Sequence, residues 1–394
     1  MRFISLFSGA GGLDQGFIDA GWEPVFMVDN WQPAIDTLVA NHPGTKVYGW
    51  NLSSPELDRL LDFALDGQSG IECVVGGPPC QPLSRLNNNQ LFDDSRETEH
   101  NLNDPRRSLF MSFLRIVRRI EPPFVVMENV ADLKTRKLGG NGSDRNRLII
   151  DVILEEFDKA KYAVVAEVLR AHEYNVPQMR KRIIFVGVRK DLGVVPSLPA
   201  PIPLVTSVAA EFAGILPEHP NQDMKAHSVA WIDKVRHIPQ GGYYNHLPLR
   251  YKVLKPITDM AEAIVGVNTG HQQVSIARGH CFRTADGVLV DGTIPQELLK
   301  AGGQFYKVMP RMGTYLRRIR DTVSHTVTRN PLIHPTEDRE ITVREKAAIQ
   351  TFPPEYFFVG TTQEQHILVG NAVPCNLGKA IAGHLEVLWN NLVI

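Results

Sequence analysis

Cysteine is scarce: the 394 residues hold four, Cys73, Cys80, Cys281 and Cys375. Thiols so few and so scattered exclude a disulfide framework, and none of their spacings suits a zinc site. No metal is expected, and any special thiol is a reactive one. Long apolar runs are missing too. No stretch reaches membrane-spanning length, and the opening Arg2-Phe3-Ile4-Ser5-Leu6-Phe7 is strand-like, with neither a basic n-region nor an apolar h-region. This predicts a soluble, cytoplasmic protein without a membrane partner. The net charge of −1 neither favours nor excludes nucleic acid, because only clustering on a face matters. Clusters stand at Arg115, Arg118 and Arg119, at Arg180-Lys181-Arg182 and from Lys307 to Arg320; a solvated face is the plain alternative for each. Internal repeats and low-complexity tracts are absent.

What is present is an apolar content of 43%, enough for a buried core in one large or two moderate domains. Strand-like runs at Ile4 to Phe7, Pro24 to Val28, Glu72 to Val75 and Phe124 to Met127 alternate with helix-like stretches at Leu13 to Ala20, Ala34 to Asn41 and Arg106 to Ile120. The alternation predicts an α/β fold, a Rossmann-like doubly wound sheet with parallel strands. After Arg189 it gives way to a proline-rich passage, Pro196 to Pro203, and an irregular middle region with Gly241-Gly242 and Gly302-Gly303, which places a boundary near residue 195. Helical periodicity returns at Thr342 to Thr351, stops at Pro353-Pro354 and resumes from Asn376 to Leu388, so the two ends of the chain are expected in one domain.

Three loops carry chemistry. Phe7-Ser8-Gly9-Ala10-Gly11-Gly12-Leu13 is a glycine-rich turn opening a helix, and Asp29 ends the next strand, where Rossmann-type sites keep an acid for ribose hydroxyls. Together they predict a nucleoside-containing cofactor. Asp14 stands where a dinucleotide binder has its third glycine, which argues against an NAD-linked oxidoreductase. The strand ending at Val75 empties into Gly76-Gly77-Pro78-Pro79-Cys80-Gln81-Pro82; a thiol held this rigidly beside a cofactor cleft is a candidate nucleophile, whereas Cys73 lies inside the strand pattern and reads as core. The next strand ends in Glu128-Asn129-Val130, bringing to the same sheet edge an acid able to hold or donate a proton.

In these segments the chain resembles the cytosine-C5 DNA methyltransferases. The resemblance is supported in order by Phe7 to Phe17, Gly76 to Ser84, Asp104 to Phe110, Glu128-Asn129-Val130, Gln178-Met179-Arg180-Lys181-Arg182, Arg344 to Pro353 and Gly370-Asn371-Ala372-Val373-Pro374. It implies a DNA (cytosine-5-)-methyltransferase that flips its target cytosine out of the duplex, with Cys80 attacking carbon 6 and Glu128 bonding N3 and the exocyclic amine. Arg182, with Gln178 and Arg180 nearby, is implied to hold the cytosine carbonyl oxygen and the adjacent phosphate; alternate residues on a strand share a face, so the three are expected to point into one cleft.

The same resemblance implies S-adenosyl-L-methionine as cofactor, leaving as S-adenosyl-L-homocysteine. Its contacts would be Phe7, Ser8, Gly9, Gly11, Gly12, Leu13, Asp29, Asn30, Asn51, Leu52, Pro78, Leu109, Asn371 and Val373. Many relatives carry glutamate at the place of Asp29 and aspartate at that of Asn51; an asparagine carbonyl still accepts a hydrogen bond from the adenine amine. Trp31 replaces a common acid and has no role on this reading. The polar stretch from Ser84 to Asn103 is expected to close over DNA. Residues 1–195 with about 366–394 would form the catalytic domain. About 196–365 would form a target-recognition domain whose base-reading part runs to about residue 335, with phosphates met by the basic run from Lys307. Duplex DNA is the implied partner of a monomer, with a cognate restriction endonuclease acting separately. RNA methylation by the same chemistry and a catalytically silent DNA-binding relative are the alternatives.

Overall fold

The computed structural model describes residues 1–79, 108–137, 146–203, 205–242, 253–257, 264–268, 272–276, 280–290, 292–309, 318–330 and 332–392. Cys80 and the polar 84–103 stretch lie outside them. Two compact units emerge: Met1–Met224 with Arg320–Asn330 and Ile341–Ile394, and Lys225–Ile319 with Pro331–Glu340.

The first unit is built on β1 (Arg2–Leu6), α1 (Gly12–Asp19), β2 (Glu23–Asp29), α2 (Gln32–Asn41), β3 (Lys46–Gly49), α3 (Leu57–Leu65), β4 (Cys73–Gly76), α4 (Ser108–Ile120), β5 (Phe124–Val130), α5 (Ile149–Lys159), β6 (Tyr162–Arg170) and β7 (Lys181–Arg189). Its seven strands lie in the order β3-β2-β1-β4-β5-β7-β6. β1 to β5 pair in parallel, as the alternation with helices predicts. β7 runs antiparallel to both β5 and β6, a departure from the expected all-parallel pattern. The short link from Arg170 to Lys181 contains no helix that could recross the sheet, so it can only join antiparallel neighbours.

Period-two alternation divides the strand side chains between two faces. Ile4, Leu6, Val74, Val125 and Met127 pack with α3, α4 and α5. Phe3, Cys73, Val75, Phe124 and Val126 pack on the other face against α1 and the closing helix. Cys73 is thus core, as read from the sequence.

The proline-rich passage after Arg189 belongs to this unit. The Tyr174 hydroxyl donates to Pro199 O at 3.0 Å, and α6 (Val208–Ala213) is tied by Val208 N to Thr322 O at 2.9 Å. The unit therefore keeps 196–224, 320–330 and 341–365, where the sequence reading set its boundaries at 195 and about 366. Buried contacts fix the division, and prolines mark only where regular structure stops.

The second unit contains α7 (Val229–Val235), β8 (Val253–Pro256), β9 (Ile264–Asn268), β10 (Gln273–Ile276), β11 (His280–Thr284), β12 (Leu289–Val290), β13 (Thr293–Pro295), α8 (Gln296–Lys300) and β14 (Gly303–Met309). Its strands form the sheets β13-β10-β9 and β12-β11-β14-β8 around Val274, Ile276, Phe282, Ile294 and Phe305. The chain returns to the first unit in α9 (Val343–Ile349), α10 (Thr362–Asn371) and α11 (Cys375–Asn390). Among the described residues no helix is long and apolar enough to cross a membrane.

Candidate active site

The strand order reverses between β1 and β4, the topological switch point at which open α/β sheets leave a crevice. Leu6 ends β1 beside Gly76, and Gly76 pairs onward with Met127. The glycine loop, the Gly77-Pro78-Pro79 segment and Glu128 therefore emerge side by side at the carboxyl edge of the sheet.

Glu128 and Arg182 meet there. They are diagonal neighbours across the β5–β7 pair, whose register sets Val130 against Arg182 and Glu128 against Ile184. Arg182 Nε stands 2.6 Å from Glu128 Oε1, with the side chains only 16% and 13% exposed. The carboxylate also presses on the loop before Cys80: a Cβ on Gly77 would fall 2.9 Å from Glu128 Oε2, so glycine is what permits the approach. Asn129, missed as a functional residue by the sequence reading, donates from Nδ2 to Pro78 O at 3.0 Å, and its Oδ1 accepts from Val130 N. It fixes the strand end to the loop two residues before Cys80. Its neighbours Glu128 and Pro78 were both singled out from the sequence, but its burial was not visible there.

In the glycine loop Phe7, Gly9 and Gly11 take φ of 56, 55 and 75°, the left-handed region costly for a bulky side chain such as Phe7. Both Asp29 oxygens are engaged by backbone amides: Oδ2 accepts from Gly9 N at 2.8 Å, and Oδ1 from Asn30 N at 2.8 Å and Trp31 N at 2.9 Å. Burial raises the Asp29 pKa, and these three donors oppose that rise. Asn51 Oδ1 accepts from Ser53 N at 3.0 Å, a local turn that leaves one lone pair on that oxygen. Trp31 packs against the cluster of Ala10, Ala34, Phe352 and Tyr356, which gives the indole a structural place. Leu13, Leu52 and Val373 are buried. Pro78 is buried too, Ser8 and Leu109 are half-buried, and Asn30 and Asn371 are exposed.

Gly12 and Val373 show how the far segment reaches the loop. A Cβ on Gly12 would lie 2.1 Å from Val373 O, so the backbone of 372–374 is laid directly on the start of α1. Below it, α1 and α11 approach through Gly16, whose Cβ would meet Cys375 O at 2.3 Å. Gly9 is different: among the described residues nothing lies within 4 Å of its Cβ position, which leaves the loop backbone open for a ligand.

Gln178 and Arg180 do not join Arg182, contrary to the expectation of one shared face. β7 begins only at Lys181; the preceding residues are held by the 324–327 segment, with Met179 N donating to Ser324 O. Arg180 is 1% exposed, and its guanidinium donates to Val327 O at 2.9 Å, Gly370 O at 3.1 Å and Asn371 O at 3.1 Å. Gln178 accepts from Val327 N at 2.8 Å and donates to Gln350 Oε1 at 2.9 Å. Gln350 donates in turn to Val369 O and Ala372 O. These polar groups are consumed inside the fold. The arginine cluster on α4 is likewise paired, Arg115 with Asp58, Arg118 with Glu156 and Arg119 with Asp62. In the second unit Arg318 is buried and spent on Val235 O, Ile238 O, His334 O, Glu337 O and Asp338.

The family model for C-5 cytosine-specific DNA methylases matches residues 1–386. The chain is 31% identical over 386 residues to the type II methyltransferase M1.HphI of Haemophilus parahaemolyticus, covering 97% of this chain and 86% of that protein. It is 27% identical to the type II methyltransferase M.DdeI of Desulfomicrobium norvegicum, covering 100% and 90%. A solved chain described as a DNA modification methyltransferase encoded within an Escherichia coli prophage shares the fold at a TM-score of 0.62, with 20% identity and 99% of each chain covered. The chain belongs to the C-5 cytosine-specific DNA methylases and is a DNA cytosine-5 methyltransferase.

Proposed function

We propose that this methyltransferase modifies cytosine within a short duplex sequence through a covalent Cys80 adduct, using S-adenosyl-L-methionine held at the glycine loop. The observation that carries the reading is the Glu128–Arg182 pair set against Gly77, at the head of the loop that leads to Cys80. The residues of the loop suit the cofactor: the backbone at Gly9 is open, Asp29 stands at its side and Val373 is laid on Gly12. Phe7, Ser8, Gly9, Gly11, Gly12 and Leu13 would give backbone contacts, Asp29 and Asn30 would face the ribose, and Asn51 and Leu52 the adenine, with Pro78, Leu109, Asn371 and Val373 completing the pocket. When bound, the cofactor supplies an electrophilic methyl group on a sulfonium.

Cys80 adds to carbon 6 of the flipped cytosine, forming the S–C6 bond and moving electron density toward N3. Glu128, bonded to N3 and the exocyclic amine, steadies that density, and Arg182 orients both the carboxyl group and the base carbonyl oxygen. Carbon 5 thereby becomes nucleophilic enough to take the methyl group. Transfer of the carbon 5 proton to solvent water and cleavage of the S–C6 bond, whose electron pair leaves with sulfur, then restore the aromatic ring and the thiolate. The second unit is the part proposed to read bases in the major groove. Both near relatives are named type II methyltransferases, which supports a companion restriction endonuclease acting separately on the same sequence, inside the cytoplasm where DNA is found. One catalytic unit suffices for one strand at a time, so the proposed state is a monomer.

Mapping 5-methylcytosine in the DNA of a methylation-free host that expresses the chain tests this reading. Methylation confined to one short motif, and lost in Cys80→Ala, is the expected result. Methylation by Cys80→Ala at the parental level would overturn the covalent route.

A further inference from the structure

Gln178 and Arg180 came from the sequence as partners of the target base, yet their bonds lead elsewhere. Arg180 is a fully buried guanidinium without a carboxylate partner among the described residues, and burial drives its pKa well below the usual value. A buried cation of this kind is costly unless its donors are satisfied. Here Nη1 and Nη2 donate to three backbone carbonyls, two of which belong to Gly370 and Asn371 at the end of α10, while Nε has no partner among the described residues. The Gln178–Gln350 amide chain secures the flanking carbonyls of Val369 and Ala372. Four successive carbonyls, 369 to 372, are thus held by two side chains, Arg180 and Gln350, with Gln178 bonded to Gln350 behind them. Helix ends normally leave such carbonyls to solvent or to a glycine turn. A close contact fixes the same segment from the other side: a Cβ at Gly370 would lie 2.4 Å from the Thr328 carbonyl carbon. Two residues beyond Arg180, Arg182 engages Glu128.

We propose that Gln178 and Arg180 are positioning residues for the cofactor, setting the Val369–Val373 backbone against the glycine loop rather than contacting DNA. The inference rests on the proposed placement of the cofactor beside Asn371 and Val373. Its physical basis is rigidity: a backbone clamped at four consecutive carbonyls presents the Asn371 side chain and the Val373 carbonyl region in one geometry, so the cofactor does not have to order them on binding.

The test is made on the full chain by titrating S-adenosylmethionine and cognate duplex DNA separately into the parent, Arg180→Lys, Gln178→Met and Asn371→Ala. Arg180→Lys keeps the charge but loses the fork that spans three carbonyls. We expect its cofactor Kd to rise about tenfold, as for one lost charge-assisted hydrogen bond, with its duplex Kd within about twofold of the parent. The KM for the cofactor should rise likewise, while kcat at saturation changes by less than about threefold, a split that general loosening of the fold would not give. Gln178→Met removes the bond that fixes Gln350, the other arm of the clamp, and should show the same pattern, with thermal melts reporting that it is folded. If Asn371→Ala weakens the cofactor while Arg180→Lys and Gln178→Met bind it as the parent does, the clamp has no positioning role and the inference falls alone. If Asn371→Ala binds the cofactor like the parent, the cofactor placement fails and takes the inference with it. An Arg180→Lys variant with parental cofactor affinity, weaker duplex binding and a shallower salt dependence would return Arg180 to a phosphate.

Discussion

Asp14 shows most plainly how a single residue departs from its surface expectation. It sits in the first turn of α1, 1% exposed, and among the described residues neither carboxylate oxygen has a hydrogen-bond partner. The nearby Ser5 hydroxyl favours the charged form but is bonded to Ser8 Oγ at 2.8 Å. Burial dominates and pushes the Asp14 pKa up to about 7 from an ordinary 3.8. Between those values the native protein keeps a proton that the unfolded chain has released, so stability falls as pH rises through the window, and the loss is complete above about pH 7. A displacement from 3.8 to about 7 corresponds to about 4 kcal/mol. Asp14→Asn is therefore expected to gain stability relative to the parent between pH 5 and pH 8, measured by urea unfolding at both; a difference that does not change with pH would refute the assignment. Gly77 yields a second prediction. In Gly77→Ala the new Cβ meets Glu128 Oε2 at 2.9 Å, and that oxygen ends a flexible side chain. The chain should fold with a cost of about 1 kcal/mol or less, while turnover falls about tenfold or more as the carboxyl group is displaced. Unchanged kcat would mean that Glu128 is not needed in this position.

At the scale of elements, the closing helices combine local signals with tertiary ones. α9 and α10 each begin with a capping box, Thr342 with Glu345 and Thr361 with Glu364. The Thr342 box is buried, whereas the Thr361 box is exposed. Thr342→Ala should cost about 2 kcal/mol and Thr361→Ala about 0.5 to 1 kcal/mol by thermal unfolding, because the amides left unbonded have no water to turn to in the first case. Equal costs would show that the buried amides find another partner. Helical periodicity placed α9 and most of α11 from the sequence alone. It could not show that Arg344 and Lys346 point inward, since a buried cation looks the same in sequence as a solvated one. Arg344 donates to the carbonyls of Pro354, Phe352 and Tyr356, and Lys346 to those of Thr328 and Asn330. Such partners are backbone groups of non-helical segments, which no side-chain pattern announces.

At the scale of the whole molecule, the arginines of α4 are organised by pairing more than by clustering. Arg115 and Arg119 on α4 face Asp58 and Asp62 of α3 at 2.5 and 2.8 Å, with all four side chains well exposed. Exposed pairs of this kind contribute little to stability, and cations already matched by acids release few counterions on binding a polyanion. Arg115→Ala combined with Arg119→Ala should leave both the duplex Kd and its salt slope unchanged, as measured by fluorescence anisotropy from 50 to 200 mM salt. A slope shallower by about 2 would instead place both guanidinium groups on phosphates.

The sequence by itself determined the order of strands and helices in the first half, the glycine loop, the acid at the end of β2, and the acid at the end of β5. These follow from local periodicity and turn chemistry, which act over a few residues. It determined the family as well, because seven short segments recur in order. Only the tertiary structure decided which charged groups pair at the sheet edge and which are bonded inside the fold. Gln178, Arg180 and Arg182 carry the same alternating spacing, yet Arg182 reaches Glu128 while Arg180 turns inward to backbone carbonyls and Gln178 to the Val327 amide and the Gln350 side chain, all some 150 to 190 residues away in the chain. Only the tertiary structure, too, reversed β7 and kept residues 196–224 and 341–365 with the catalytic sheet. The physical reason is the same in each case. A buried polar group must find a partner wherever packing provides one, and that partner is set by the meeting of distant segments.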